Sequence, residues 1–369
     1  MPGIDEGGPP RTMRVVLYYP RALVGNGGMT RAVGKLALGL AELGAGVIVA
    51  CDGGVTQTRS GVAWAAVPHV GGSVLRMPLG IGRVLRGADL LILHSAWALH
   101  NSRVAAVARA MGVPYILAPR GAYDPAVVRR KRRRKLVWWA LLERDLVRNA
   151  SGMHIFFDSE RPHIEALGYR GAVLVAPNGV DVPPGVRWDG GSGKYVLWLG
   201  RFDPEHKGLD LLLKAVAVLP RDRRPLLRLH GPDKRGGKMA IRRLARALRL
   251  EDVVVIGEPV YGHDKWRLLS SAAAFAYPSR WEAFGNSTAE AVSAGVPTLV
   301  TRYPLGEYLA GRGGAVVAES TPEALAAGLE QVLSPRGAEI ASNGARIMRA
   351  EFGWADVSRS WLRQMEAIR

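Results

Sequence analysis

The sequence predicts an α/β fold built from two consecutive parallel sheets. Short apolar runs alternate with amphipathic segments along almost the whole chain, which is typical of strand–helix–strand units. The alternation stops near residue 181 and restarts at residue 195, after a stretch of different composition. The chain has 369 residues, of which 48% are hydrophobic, so it is long enough for two cores of similar size.

In the first half, residues 13–19 (MRVVLYY) predict a buried strand, and the glycine-rich loop GNGG follows at 25–28. Apolar residues spaced three and four apart predict a helix over 30–44, which Gly44 ends. Three further strands are predicted in this half, at 47–51, 89–94 and 114–119. A helix is predicted at 102–112, between the last two of these strands.

The second half repeats this pattern after a segment rich in Pro, Gly and Ser at 181–194. Such a composition is typical of an interdomain linker. The predicted strands lie at 195–200, 226–231, 253–257, 273–278 and 297–301. The predicted helices lie at 209–219, 238–248, 288–295 and 352–368.

Each half therefore resembles a Rossmann-like unit, in which ligands bind at the carboxyl ends of the strands. We expect a first domain at 13–182, a linker at 183–193, a second domain at 194–351 and a C-terminal helix at 352–369 that crosses back to the first domain. A cleft between the two domains is the natural place for a ligand. Residues 1–12 are polar and rich in Pro and Gly, so a disordered tail is expected there rather than a secretory signal.

Cysteine content and charge bear on the setting of the protein. The single cysteine, Cys51, excludes an intrachain disulfide and fits a reducing compartment, which favours a cytoplasmic location. No apolar run approaches the ~18 residues of a membrane-spanning helix. The net charge is +18, and the seven consecutive basic residues Arg129–Lys135 supply +7 of it. Such a charge attracts nucleic acid, anionic lipid and phosphorylated substrates alike, and it does not choose among them.

The segment at 279–297 (SRWEAFGNSTAEAVSAGVP) carries the most informative chemical signal. A strand ends at Pro278, and a helix begins near 286–287 after a loop that contains glycine. The unpaired N–H groups and the positive dipole end of such a helix suit a diphosphate. Glu282 precedes the helix and Glu290 lies one turn inside it, so both carboxylates could accept hydrogen bonds from sugar or ribose hydroxyls.

A purely structural interpretation of the same residues stays open. Ser287 and Glu290 have the spacing of a capping box, in which the glutamate returns to the start of its own helix instead of binding a ligand. Isolated Ser-x-x-Glu sequences are common, so the spacing alone does not separate the two interpretations.

The spacing Glu282-x7-Glu290, with Phe284 and Gly285 between the acids and AGVP after them, resembles the E-x7-E signature of retaining glycosyltransferases of the GT-B type, specifically family 4. Other segments match this family in order along the chain. They are PNGVD (177–181), LGRFDPEHKGLDLLL (199–213), LHGPD (229–233) and GEPVYGHDKWRLLSSA (257–272).

The first half matches the same family more weakly. GNGGM at 25–29, His94 and PRG at 119–121 resemble its glycine-rich loop, its acceptor-side histidine and the loop after the following strand. The resemblance covers essentially residues 13–367 and implies a GT-B architecture, in which two Rossmann-like domains face each other across a cleft.

The chain departs from the family pattern at two places. It has EAFGN at 282–286 where EGFG followed by an apolar residue is commoner, which implies an altered sugar preference. His206 precedes Lys207 where a second lysine is more usual, and the sequence suggests little consequence of this change.

The resemblance implies a donor site for a nucleoside diphosphate sugar. Arg201 and Lys207 lie in the loop after the strand 195–200, where two cations would embrace the pyrophosphate and do electrostatically what a divalent metal does elsewhere. Glu290 would bind the ribose hydroxyls, and Glu282 would contact the transferred sugar near its 3- and 4-hydroxyls.

Backbone groups complete the donor site that the resemblance implies. The N–H groups of Phe284, Gly285 and Asn286 would serve the sugar or the distal phosphate. Gly27 and Gly28 would belong to the first-domain loop that approaches the diphosphate, where a Cβ would keep backbone from phosphate.

The acceptor side rests on the first domain. The family places a histidine at the position of His94, beside the transferred sugar, where it would position groups rather than act as a conventional base. Arg120 and Asp124, in the loop after the strand 114–119, are further acceptor-side candidates.

The implied reaction is a retaining, metal-independent transfer from a UDP-sugar or GDP-mannose to a hydroxyl of a glycan, glycolipid or small molecule, without a cofactor. The departing phosphate would accept the acceptor's proton, so no carboxylate nucleophile is expected. The sequence contains no Asp-x-Asp motif and no His/Cys pair at zinc spacing. A non-transferase enzyme of the same architecture, such as a nucleotide-sugar epimerase, is the alternative.

The segment 129–148 (RRKRRRKLVWWALLERDLVR) joins the basic run to an apolar face with Trp138 and Trp139. This composition is typical of a helix on an anionic membrane, so peripheral association with the inner face of the plasma membrane is expected, with a lipid-linked or glycan acceptor. A solvated helix whose tryptophans pack on the domain remains open. A nucleic-acid-binding protein is the rival of another class, but no reader fold or stacking platform accompanies the charge, so no nucleic-acid partner is expected.

Overall fold

The computed structural model describes residues 12–21, 27–53, 56–72 and 75–368. The chain divides into two compact units, Met1–Gly179 with Trp354–Arg369, and Val180–Gly353. Apart from Thr12, the tail predicted at 1–12 lies outside the described residues, as do Gly25 and Asn26 of the predicted glycine loop. Within the described residues, no helix has the length and apolar composition to cross a membrane.

The first unit is a parallel sheet with helices on both faces. Its strands are β1 (Arg14–Tyr18), β2 (Gly46–Cys51), β3 (Gln57–Arg59), β4 (Val62–Ala66), β5 (His69–Val70), β6 (Met77–Pro78), β7 (Leu90–His94), β8 (Tyr115–Ala118), β9 (Gly152–Ile155) and β10 (Ala172–Val175). Its helices are α1 (Gly28–Glu42), α2 (Ile81–Leu85), α3 (Leu99–Ala110), α4 (Pro125–Arg129), α5 (Arg132–Trp138), α6 (Arg144–Arg148), α7 (Arg161–Glu165) and α16 (Trp354–Glu366). A π-helical turn at Trp139–Glu143 connects α5 and α6, and a 3-10 turn at Asp158–Glu160 precedes α7.

In the described part of this unit, eight strands pair in the order β10-β9-β8-β7-β1-β2-β4-β3, and β5 pairs with β6 separately. All neighbours in the large sheet are parallel except β3 and β4. Val16 of β1 lies opposite Ile48 of β2 on one side and Leu91 of β7 on the other. Because the chain leaves β1 first toward β2 and later toward β7, the strand order reverses at β1 and β7, and such a switch point opens a crevice at the carboxyl ends of the strands.

Side chains of β1 alternate between two apolar clusters, one on each face of the sheet. Val15 and Leu17 belong to one cluster, whereas Val16 and Tyr18 belong to the other. This division follows from the two-residue period of a strand, and it explains why the run reads as continuously apolar in the sequence.

The C-terminal helix α16 packs on the cluster of Val15 and Leu17. Val357, Trp361 and Met365, spaced four apart, form its buried stripe in this cluster. The Trp361 indole stacks on the ring of His154, with centroids 4.4 Å apart. Burial of such an aromatic side chain is worth about 3–5 kcal/mol by the usual effect of truncation to Ala, so α16 is an integral part of the first unit.

The second unit, residues 180–353, is described throughout. Its strands are β11 (Tyr195–Leu199), β12 (Leu226–His230), β13 (Val254–Gly257), β14 (Ala274–Tyr277), β15 (Thr298–Thr301) and β16 (Val316–Ala318). Its helices are α8 (Pro204–Lys207), α9 (Leu209–Val218), α10 (Gly237–Ala247), α11 (Gly262–Ser270), α12 (Asn286–Ser293), α13 (Pro304–Ala310), α14 (Pro322–Leu333) and α15 (Pro335–Glu351), with a 3-10 turn at Arg221–Arg223. The six strands are parallel and pair in the order β13-β12-β11-β14-β15-β16.

The segment predicted as a linker at 183–193 lies within the second unit. The backbone N–H of Trp188 donates to the Ala294 carbonyl at 2.8 Å, and its indole N–H donates to the Ala272 carbonyl at 2.7 Å. The Pro, Gly and Ser residues of the segment 183–193 predict irregular structure. The two bonds of Trp188 attach this irregular segment to the second unit.

The basic segment is not a single helix. Asp124 caps α4 with Pro125 at its first position, and α4 ends at Arg129. Lys131 then has a φ of +55°, so the chain turns before α5 begins at Arg132. Consecutive like charges along one helix repel one another, which favours this interruption inside the basic run.

The contact between α1 and α16 gives a stability prediction. A Cβ added at Gly39 of α1 would lie 2.8 Å from the Cβ of Ser358 on α16, well inside the distance at which carbon atoms attract. Gly39→Ala is therefore expected to lower the free energy of unfolding by about 1–3 kcal/mol, measured by urea denaturation.

Ser358→Ala is the matched control for this prediction. The Ser358 hydroxyl is buried and has no hydrogen-bond partner in the part of the chain that the structure describes. Its removal should leave stability unchanged or raise it by up to about 1 kcal/mol. Equal loss of stability in the two variants would contradict this packing of α16 on α1.

Candidate functional site

The second sheet brings two of the predicted loops together. Counted along the chain, its strand order is 3-2-1-4-5-6, so β11 and β14 are neighbours at the point where the order reverses. The segment 200–203 follows β11, and the segment 278–285 follows β14. Ligands of such sheets bind in the crevice at this switch point, at the carboxyl ends of the strands.

Gly208 lets the chain after β11 pass directly against the end of β14. The residue has a φ of +64°, and it ends α8 and precedes α9. A Cβ at this position would lie 2.8 Å from the carbonyl carbon of Pro278, so no side chain fits. Glycine is required here by both the backbone conformation and the close approach.

Hydrogen bonds join the two loops around His206. Its carbonyl accepts from the N–H of Arg280 at 3.0 Å, and its ring Nε2 lies 3.0 Å from the carbonyl oxygen of Trp281. The His206 and Trp281 rings stack with centroids 4.2 Å apart. Burial and then the charge of Lys207 lower the pKa of His206 to about 4, so the neutral ring donates from Nε2 to the Trp281 carbonyl at pH 7. The departure from the family at His206 therefore has a structural role that the sequence did not suggest.

Lys207 and Glu282 meet across this junction. Nζ of Lys207 lies 2.5 Å from Oε2 of Glu282, and the two side chains are 9% and 17% exposed. Burial alone would lower the pKa of Lys207, but the Tyr277 phenol and the Glu282 carboxylate outweigh it and raise this pKa. A lysine ammonium has three N–H donors, so Lys207 can bind an incoming anion while it stays close to Glu282.

Glu290 takes part in a second pair of the same kind. Its Oε1 lies 2.7 Å from Nζ of Lys265 on α11, and the two side chains are 15% and 9% exposed. The capping box that the sequence allowed has Ser287 as its N-cap, whereas the N-cap of α12 is Gly285. Sequence analysis missed Lys265, since a lysine on an amphipathic helix gives no signal until the helix packing is known.

The start of α12 is held firmly. Gly285 has a φ of +83°, and Asn286 is the first helical residue. The hydroxyls of Thr288 and Tyr303 are 2.7 Å apart and both residues are buried. Phe284 is buried beside the ring of Phe352, with centroids 6.2 Å apart. The first-turn N–H groups of a helix have no intrahelical acceptor, and helix starts are therefore common anion-binding positions in proteins.

Arg201 lies in the loop that leaves β11, and its side chain is exposed. Unlike Lys207, the Arg201 guanidinium makes no hydrogen bond or ion pair with any residue that the structure describes. The neighbouring Asp203 accepts from Nζ of Lys234 at 2.5 Å, which keeps that carboxylate occupied. Arg201 is therefore a cation available to a ligand.

In the first unit, His94 ends β7 and is fully buried. Nε and an Nη atom of Arg120 lie 3.4 and 3.3 Å from Nδ1 of His94, and the other Nη donates to Asn178 at 2.9 Å. Because a guanidinium only donates, Nδ1 is the acceptor and the ring proton lies on Nε2. Burial, then Arg120 and His154, lower the pKa of His94 well below its ordinary value, so the ring is neutral at pH 7.

His94 and Arg120 combine two signs of a functional site. Nε2 of His94 is buried without a hydrogen-bond partner among the described residues, which is uncommon for a donor. Arg120 has a φ of +55°, a conformation that non-glycine residues adopt at a cost. Asn178, which sequence analysis did not single out, holds the Arg120 side chain in place.

The remaining predicted residues of the first unit lie at helix starts. Gly27 is the N-cap of α1 and Gly28 is its first residue. Beyond its chain neighbours, no atom of the residues that the structure describes lies within 4 Å of a Cβ placed at Gly27. Asp124 accepts from the N–H of Ala126 at 2.7 Å as the N-cap of α4, so the structure gives this acceptor-side candidate a capping role.

Family models for glycosyltransferases match segments of both units. A family model described as "Glycosyl transferases group 1" matches residues 190–346. A second model, described as "Glycosyl transferase 4-like domain", matches residues 27–179. The two models together account for most of both units.

Among curated proteins, D-inositol 3-phosphate glycosyltransferase of Kineococcus radiotolerans is 30% identical over 252 residues, which is 60% of this chain and 58% of that protein. Mannosylfructose-phosphate synthase of Agrobacterium fabrum is 36% identical over 120 residues, 30% of this chain and 26% of that protein. The chain thus spans less than two thirds of the curated relatives that it matches.

Solved structures are similar over nearly the whole chain. Sucrose-phosphate synthase from Thermosynechococcus elongatus gives a TM-score of 0.76 at 17% identity, covering 97% of this chain and 100% of that chain. HepE of Anabaena, solved in complex with UDP and glucose, gives 0.75 at 16% identity, covering 96% and 100%. These similarities confirm the predicted GT-B fold. The family models and the fold agree, and the chain belongs to the group 1 glycosyltransferases.

Proposed function

We propose that the protein transfers a sugar from a nucleoside diphosphate sugar, a UDP-sugar or GDP-mannose, to a hydroxyl of its acceptor. The observation that carries this proposal is the pairing of Lys207 with Glu282 and of Lys265 with Glu290 in the second unit. Sheets with its strand order generally bind ligands at the switch point. The fold of HepE, which was solved with UDP and glucose, supports a nucleotide donor.

The charged residues of the proposed donor site have separate tasks. Lys207 and the exposed Arg201 bind the diphosphate, one as a point charge and the other as a bidentate fork. Glu282 accepts hydrogen bonds from the transferred sugar, and Glu290 accepts from the ribose hydroxyls. The N–H groups of Phe284, Gly285 and Asn286 supply further donors, and the backbone of Gly27 and Gly28 approaches the diphosphate in this proposal.

The proposed mechanism is retaining and needs no metal, because fixed cations stabilise the charge that develops on the leaving diphosphate. The donor C1–O bond breaks, the acceptor oxygen bonds to C1 on the same face, and a leaving phosphate oxygen takes the acceptor proton. His94 is neutral and carries its proton on Nε2, so it donates to a sugar hydroxyl and positions it. Arg120 orients His94, and we place both residues with Asp124 on the acceptor side.

We further propose a glycan or lipid-linked acceptor and peripheral association with an anionic membrane surface. The run Arg129–Lys135 supplies seven cations, and Leu136, Val137 and Leu141 directly after it are 56%, 60% and 72% exposed. Cations beside exposed apolar residues are typical of a segment that lies at the headgroup level. Trp138 and Trp139 are half-buried, so they serve this surface less directly than the sequence suggested.

Glu290→Gln and Arg201→Ala are expected to weaken binding of a nucleotide sugar by about tenfold or more each, since each variant removes a hydrogen bond involving a charged group. Isothermal titration with a panel of nucleotide sugars measures this and identifies the donor. Arg243→Ala, which removes an exposed arginine of α10 in the same unit, is the control. Donor binding unchanged in both site variants would refute the proposed donor site.

Activity should be unchanged in EDTA, because Lys207 and Arg201 neutralise the negative charge of the leaving diphosphate in the proposed site. Lys207→Gln should lower kcat by about 100-fold or more, the usual effect of losing a charge-stabilising donor. Lys214→Gln, an exposed lysine on α9, should retain full activity. Loss of activity in EDTA that Mg²⁺ restores would contradict a metal-free mechanism.

Flotation with vesicles tests the membrane association. The protein should bind vesicles that contain phosphatidylglycerol and not those of phosphatidylcholine alone, and Arg133→Gln with Arg134→Gln should weaken binding by about 1 kcal/mol per removed charge. Arg242→Gln with Arg243→Gln removes the same charge from the exposed side of α10 and should have little effect. Binding that does not depend on anionic lipid would rule this association out.

A further inference from the structure

The first unit has a groove whose lining includes none of the residues assigned to catalysis. It encloses about 490 Å³ and is open to solvent. Its lining comes from α4, α5, the π-helical turn, α6, the segment 166–168 after α7, and Trp97 between β7 and α3. This volume falls within the ~300–1,000 Å³ of small-molecule sites. The groove can therefore hold a ligand larger than a single ion.

Four arginines line the groove, namely Arg129, Arg132, Arg144 and Arg148. None of these guanidinium groups makes a hydrogen bond or ion pair with any residue that the structure describes, and the lining contains no Asp or Glu. Four unpaired cations around one groove repel one another, so a bound anion would relieve that repulsion. Charge complementarity therefore points to an anionic ligand.

The rest of the lining is largely apolar. Trp97, Leu136, Trp139 and Leu167 contribute side chains, and Leu136 is 56% exposed. An inorganic anion or a nucleotide phosphate would leave these apolar groups in water. An anion that carries a hydrocarbon chain would cover them, and each buried CH₂ group would add about 0.8 kcal/mol.

A buried carboxylate holds one wall of the groove in place. Glu143, at the end of the π-helical turn, accepts from the N–H of Trp97 at 3.0 Å, the hydroxyl of Tyr123 at 2.7 Å and Nε1 of Trp138 at 3.2 Å. Lys135 also spans the groove wall, since its Nζ donates to the Val127 carbonyl at 2.5 Å and lies 5.0 Å from the Trp97 ring centroid. The groove is thus formed before any ligand binds.

We propose that this groove binds one anionic phospholipid, with its phosphate among the four arginines and the first part of its chain against Leu136 and Trp139. This inference rests on the membrane association proposed above and deepens it. The association itself needs only a charged surface, whereas the groove binds a single lipid molecule saturably.

The two faces of α5 allow a matched test. Arg132, Lys135, Leu136 and Trp139 have the i, i+3, i+4, i+7 spacing of one helix face, and all four line the groove. Arg133, Arg134 and Val137 belong to the remaining face and are absent from the lining. Variants on the two faces can remove the same charge or the same exposed apolar group.

The experiment titrates the full-length protein with dihexanoyl phosphatidylglycerol below its micelle concentration, by calorimetry. Arg132→Gln with Arg148→Gln should weaken this binding by about tenfold or more, as loss of charge-assisted bonds does, and Leu136→Asn should weaken it about threefold or more. Arg133→Gln with Arg134→Gln, and Val137→Asn, should change it by less than about twofold. The substituted side chains are exposed, and thermal unfolding of each variant checks that the fold is kept.

Two further arms identify the source of the phosphate. Dihexanoyl phosphatidylcholine tests the need for net negative charge, and inorganic phosphate tests the need for the chain; both should bind at least about tenfold more weakly than the phosphatidylglycerol. Equal loss in the two arginine pairs, or phosphate that binds as tightly as the lipid, would overturn the proposal in favour of a diffuse polyanion surface.

Vesicle binding and monomeric lipid binding, measured together, distinguish the proposed lipid groove from the proposed membrane association. Vesicle binding that both arginine pairs weaken equally, together with no saturable binding of the monomeric lipid, would support the charged surface and overturn the groove. Monomeric lipid binding that Arg132→Gln with Arg148→Gln abolishes would support the groove even where vesicles are not bound.

Discussion

The close approach of Gly208 to Pro278 is the constraint on which the proposed donor site depends. It places the chain that follows β11 in direct contact with the chain that follows β14. The Lys207–Glu282 pair forms between these two segments. A buried lysine is costly unless an opposite charge accompanies it, so Glu282 stabilises Lys207 in the absence of ligand. The same carboxylate then stands beside the place where the diphosphate and sugar are proposed to bind, and one residue serves stability and recognition together.

The pair of Lys265 and Glu290 is a second case in which a largely buried lysine is neutralised by a carboxylate. Glu290 lies one turn inside α12, and Lys265 reaches its carboxylate from α11, so a neighbouring helix helps to orient it. A carboxylate has two oxygens with about four lone-pair sites, so Glu290 can accept from a ligand hydroxyl in the proposed site while it stays paired with Lys265. Such preorganisation is what separates a binding site from a set of surface acids.

Sequence patterns predicted the fold well because they are local. Alternation of apolar runs and amphipathic segments predicted the parallel sheets, whereas the order of the strands was found only in the structure. The spacing of Glu282 and Glu290, from which the donor site is proposed, is also a local pattern. Lys265 and His206 could not be found in this way, because their partners lie 25 and 75 residues distant and depend on how the elements pack. The basic run also departs from its predicted single helix, since apolar periodicity does not report the left-handed turn at Lys131.

The position of α16 has a consequence for how the protein is made. Val357, Trp361 and Met365 complete an apolar cluster whose other members come from the first 176 residues. Domains usually fold in order as the chain leaves the ribosome, at about 5–20 residues per second. In this protein the first unit lacks α16, and with it part of its apolar core, until the second unit has been synthesised in full. The surface that α16 will cover stays exposed throughout that interval, so this segment of the nascent chain is where a chaperone would be needed.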